Sequence, residues 1–167
     1  MARIRCLHLA DLHLGWSPRE WDGREAERQQ ERDELLKKAV DWALDPASGV
    51  QLVLIVGDLF ETHRPPTSLV VRVMADLARL TKANIPVVTV PGNHDEITYH
   101  DSVYRKYSRE WPGLLVTNPL VERISTLTIK ETKCHLYGLA YTGGLTQVDG
   151  MIREFPRETE TGVHIGL

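Results

Sequence analysis

The stretch Gln51-Leu52-Val53-Leu54-Ile55-Val56-Gly57-Asp58 decides how the rest of the chain is read. Its unbroken aliphatic run lacks the polar alternation of a half-solvated strand and fits a strand buried on both faces in a parallel sheet. Gly57 then lets the backbone turn tightly, and Asp58 delivers a carboxylate just past the strand end. Upstream, Ile4 to Leu9 reads as a shorter strand ending in Asp11-Leu12-His13-Leu14-Gly15. Downstream, Pro86 to Val90 is a third, ending in Pro91-Gly92-Asn93-His94-Asp95. Helical patterns lie between them. From Glu34, residues Leu35, Leu36, Ala39, Val40, Trp42 and Ala43 fit one helical face, closed by Pro46 and Gly49. Ser68 to Lys82 reads as a helix with Leu69, Val73, Leu77 and Leu80 inward.

The remaining segments are less patterned. Trp16 to Arg32, dense in Arg, Glu and Gln, reads as a solvated loop and the exposed start of a helix. Asp101 is placed to cap a short helix reaching Glu110. Leu114–Val116, Arg123–Lys130 and Cys134–Leu139 read as short β segments, with a turn at Gly143-Gly144. A helix near Gln147–Arg153 and a strand from Val163 complete the expectation. Three strand–loop–helix units in succession define an α/β fold. In such folds the chemistry lies beyond the carboxyl ends of the strands, where all three polar motifs fall.

Composition sets outer bounds. A chain of 167 residues, 42% hydrophobic and 26% charged, is long enough to bury the core of one domain. No apolar run approaches the roughly 20 residues that span a bilayer, so no membrane association is expected. Arg3, Arg5 and His8 stand where a signal peptide needs an apolar stretch, which makes a cytoplasmic location the expectation. Cys6 and Cys134 lack metal-ligand spacing and read as small, reduced core residues. A net charge of −3 argues against a protein that grips nucleic acid mainly by counterion release. If DNA is the substrate, the local positive charge comes from bound metal or from parts outside this chain.

The three motifs have the chemistry of a metal site. Asp11 and His13 are two apart at a strand end, so in extended backbone both side chains point the same way and can share a divalent cation. The two oxygens of Asp58 suit a bridging role, and Asn93 offers a neutral amide oxygen. His94 adjoins Asn93, so the two side chains diverge and His94 is not expected to be an equal ligand of the same ion. His8, His100, His135 and His164 read as structural, His164 as a strand residue.

Asp11-Leu12-His13, Gly57-Asp58 and Gly92-Asn93-His94-Asp95 resemble the first three motifs of the calcineurin-like metallophosphoesterase superfamily. The longer strings His8 to Gly15 and Gly57 to Pro66 are similar to the branch of SbcD-like DNA repair nucleases. The resemblance implies a β-sandwich flanked by helices in four α/β/β/α layers, and a metal-dependent phosphodiesterase, exonuclease or endonuclease, that processes DNA ends. It implies two divalent ions, manganese being the usual activator, with Asp11, His13 and Asp58 on one and Asp58 and Asn93 on the other. His94 would contact phosphate and protonate the leaving oxygen. The implied partners are DNA ends, an SMC-like coiled-coil ATPase subunit and a second copy of the chain, paired through Ser68–Lys82 and Asp101–Glu110. To this we add Glu61 as the residue that holds the His94 ring in one tautomer, and Arg64 as a substrate contact.

The superfamily has three further histidine ligands, two of them in a Gly-His-x-His segment that occurs nowhere in this chain. Residues 1–167 are therefore expected to be an incomplete phosphoesterase domain without its capping region, weakly active or inactive in isolation. Two other readings stay open: a phosphoesterase acting on another substrate, and a noncatalytic module that binds DNA or the ATPase partner.

Overall fold

The computed structural model describes residues 3–18, 23–143, 155–156 and 159–167. β2 (Leu52–Val56) lies inside a parallel sheet of order β1-β2-β3-β4, between β1 (Cys6–Leu9) and β3 (Val87–Val90), with β4 (Leu114–Leu115) outermost. Its neighbours explain its composition. A strand paired on both edges and covered on both faces has no solvated side, and Leu52 to Ile55 are all buried. α2 (Leu35–Leu44) and α3 (Thr67–Lys82) pack side by side against this sheet, and Leu36, Val40, Leu69, Val73 and Leu77 join its core. α1 (Glu25–Asp33) buries no residue, as its polar sequence leads one to expect.

A second sheet follows, β5 (Glu122–Ile129), β6 (Thr132–Gly138) and β7 (Val163–Gly166), with β5 antiparallel and β7 parallel to β6. Ile129, Cys134 and Leu136 belong to the same hydrophobic cluster as β2 and β3, so the two sheets share one core. The α/β class and the sheet-against-sheet arrangement thus match expectation, with the helices described on the side of the first sheet. The helix expected at Gln147–Arg153 lies outside the described residues.

Three local expectations are corrected. Leu35 and Trp42 are 43% and 52% exposed, because the buried stripe of α2 is Leu36, Val40 and Ala43, about 100° around the helix. Cys6 is exposed, because alternation along the edge strand β1 turns Leu7 and Leu9 toward the core instead. The short helix α4 spans only Val103–Lys106 and starts after Ser102, so Asp101 is not its cap.

Candidate metal centre

Three loops leave the carboxyl ends of β1, β2 and β3 and are stitched to one another by backbone hydrogen bonds. His13 N donates to Asp58 O at 2.9 Å, Leu14 N to Leu59 O at 2.9 Å, and Glu61 N to Leu14 O at 3.1 Å. The first two loops thereby run in parallel past the sheet, with Leu14, Leu59 and Phe60 buried beneath them. The third loop is clamped from below. The buried carboxylate of Asp95 accepts from Gly92 N at 2.7 Å, Phe60 N at 3.0 Å and the Tyr104 hydroxyl at 2.7 Å. Burial pushes the Asp95 carboxyl above its ordinary range, with those three donors acting in the opposite direction. His94 N donates to Asp58 Oδ1 at 2.9 Å, which fixes the Asp58 carboxylate in turn. A Cβ on Gly92 would fall on Asp58 Oδ1 and the Asp58 amide nitrogen, so only glycine permits this approach.

These loops bring His13, Asp58 and His94 together, with one potential ligand atom from each lying within 4.8 Å of the others. His13 Nε2 stands 3.8 Å from Asp58 Oδ2 and 4.0 Å from Asp11 Oδ1. Both gaps are too long for hydrogen bonds and shorter than the roughly 4.2 Å that two metal–ligand bonds of about 2.1 Å can span. A carboxylate-and-imidazole set spaced in this way fits a divalent cation. Asp11 is on the solvent side with its side chain 76% exposed, whereas Asp58 is buried. The imidazoles of His13 and His94 meet edge to face, with centroids 4.6 Å apart. Asn93 occupies an exposed position between Gly92 and His94.

The extended backbone expected for Asp11 and His13 is not what holds them. Both lie in the left-handed region, at φ 54° and 48°, and Asp58 does too, at φ 49°. Non-glycine residues adopt this region infrequently, and Asp and His are among those that tolerate it best. Glu61 also departs from expectation. Its Oε2 accepts a 2.8 Å hydrogen bond from His13 Nδ1 and lies 3.8 Å from His94 Nδ1, beyond bonding distance. His94 Nδ1 is instead 3.1 Å from the Glu61 backbone carbonyl. Arg64 bonds Asp101 at 3.3 Å on the exterior of the same loop. His164 is a strand residue whose two ring nitrogens engage the Tyr137 hydroxyl and Glu160 O. One anchor has no signature in the sequence: Asp33, at the end of α1, accepts from Gly15 N at 2.7 Å and from Arg72 at 3.1 Å.

Among the described residues no helix is long and apolar enough to cross a membrane. The chain is similar to three archaeal proteins named DNA double-strand break repair protein Mre11. That of Methanosarcina mazei is 29% identical over 81% of this chain and 20% of the relative. That of Sulfolobus acidocaldarius is 24% identical over 87% and 36%, and that of Methanococcus maripaludis 34% identical over 87% and 35%. The chain thus spans between a fifth and somewhat over a third of the length of these relatives. A further match, to the family described as calcineurin-like phosphoesterase, runs from residue 4 to residue 164. It takes in all three loops and both sheets, and the chain belongs to that family.

Proposed function

We propose that this chain carries the metal-binding part of a manganese-dependent phosphodiesterase that cleaves DNA at or near its ends. The observation that carries the reading is the convergence of His13, Asp58 and His94, with Asp11 beside them, at the mouth of three strand-end loops. The names of the archaeal relatives and the strings around Asp11 and Asp58 favour DNA over other phosphoesters.

In this reading Asp11, His13 and Asp58 hold one divalent ion, and Asp58 and Asn93 contribute to a second. When bound, the ions supply Lewis-acid polarisation of the phosphoryl group and a more acidic water. Water oxygen adds to phosphorus as the bond to the leaving oxygen breaks, and the leaving oxygen needs a proton. His94 is the group for that transfer: a carbonyl engages its Nδ1–H, and a proton taken up from solvent on Nε2 is the one it would deliver to the leaving oxygen. Arg64 lies at the outer edge of the loop, where it can meet a substrate phosphate once released from Asp101. Two residues are a short ligand set for the second ion, so slow turnover is expected of the 167-residue chain. The partners in this reading are DNA ends, a coiled-coil ATPase and a second copy of the chain.

The test is cleavage of end-labelled linear duplex DNA with and without manganese, beside Asp58→Asn. Manganese-dependent cleavage, at least about 100-fold slower in the variant, is the expected result. Hydrolysis of bis(p-nitrophenyl) phosphate without DNA cleavage would move the substrate to another phosphoester. DNA binding with neither hydrolysis would favour a noncatalytic module.

A further inference from the structure

Glu61 touches both histidines of the centre, through different atoms. Its carboxylate meets His13 Nδ1 at 2.8 Å, and its backbone carbonyl meets His94 Nδ1 at 3.1 Å. A carboxylate and a carbonyl oxygen can only accept, so each contact requires a hydrogen on the Nδ1 it touches. A neutral imidazole with Nδ1–H has its lone pair on Nε2. Nε2 of His13 is the nitrogen that stands 3.8 Å from Asp58 Oδ2 and 4.0 Å from Asp11 Oδ1, facing the gap between them.

We infer that Glu61 is the positioning residue that sets the tautomer of both histidines at once, the carboxylate presenting Nε2 of His13 to the cation and the main chain presenting Nε2 of His94 to the substrate side. This rests on the proposed metal site and redirects the carboxylate from His94 to His13. A carboxylate behind a ligating histidine orients the ring and makes it a better donor, and its removal typically weakens metal affinity 10- to 100-fold. The geometry holding Glu61 is independent of its side chain, because Glu61 N donates to Leu14 O within the stitched pair of loops. The side chain is about one third exposed, so its replacement removes less packing than loss of a fully buried group would.

The two halves of the device separate under mutation. Glu61→Ala removes the acceptor for His13 and leaves the carbonyl for His94 in place. Glu61→Gln retains an amide oxygen that can still accept from His13 Nδ1. Imidazole ¹⁵N chemical shifts of the metal-free chain read each tautomer directly, and calorimetry with manganese reads the consequence. The expected result is Nδ1–H at both rings in the wild type and a change at His13 alone in Glu61→Ala. Manganese binding should weaken about 10- to 100-fold in that variant and recover most of the loss in Glu61→Gln. An Nε2–H tautomer at His13 in the wild type would overturn the inference, as would manganese binding unaltered in Glu61→Ala. A wild-type chain that binds no manganese would sink the metal reading instead, and the nitrogen shifts would still decide the tautomers.

Discussion

Asp11, His13 and Asp58 each combine a metal-capable side chain with left-handed backbone, a conformation that costs an L-residue about 1–2 kcal/mol. Three such residues in adjoining loops are held there by surrounding hydrogen bonds, and strain of this kind collects at functional sites. Asp11 is the informative one to change, since its side chain is largely exposed and its loss removes little packing. In Asp11→Gly, relief of strain offsets the extra freedom of glycine in the unfolded chain. The melting temperature should stay within a few degrees of wild type or rise, while manganese affinity falls at least about tenfold. A large drop in melting temperature would show that Asp11 is a structural residue. The identities of the candidate ligands were legible because Asp-x-His, Gly-Asp and Asn-His each follow an aliphatic run. Their backbone handedness was not, since a period-two reading assumes extended chain. Nor was the partner of Glu61, which is set by pairing between loops 48 residues apart in sequence.

At the scale of elements, the centre depends on a clamp beneath it. Asp95 joins the third loop to the second through Gly92 N and Phe60 N, and Tyr104, after the short turn into α4, closes it. Asp95→Ala would leave three buried donors without an acceptor, at about 1–3 kcal/mol each. We expect a loss of at least about 3 kcal/mol in urea unfolding, with Tyr104→Phe costing about half of that or less. Equal stability of Asp95→Ala and wild type would refute the clamp. The sequence identified β2, β3 and α3 almost to the residue, because buried strands and long amphipathic helices carry strong periodic signals. It misassigned part of α2 because Leu35, Ala39 and Trp42 form their own i, i+4, i+7 stripe beside the buried one of Leu36, Val40 and Ala43. Both stripes satisfy helical spacing, and only the position of α3 and the sheet decides which is covered. Asp33 falls between the polar stretch that ends at Arg32 and the helical pattern that starts at Glu34, and nothing local marks its contact with Gly15.

Across the whole molecule, one hydrophobic cluster joins two sheets and fixes the strand ends from which the three loops emerge. Placing Asp58 at the end of an inner, buried strand gives the site a rigid centre, and the more exposed Asp11 and His94 complete it from the solvent side. A net charge of −3 is compatible with the proposed metal centre, whose cations would supply local positive charge for an anionic substrate. The most direct test is a calorimetric titration of the chain with manganese, with Asp58→Asn run in parallel. We predict saturable binding at one site or more, weakened at least about 100-fold by the substitution, since it removes the carboxylate shared by the set. Absence of binding, or equal binding by both proteins, would contradict a metal centre at the ends of β1, β2 and β3.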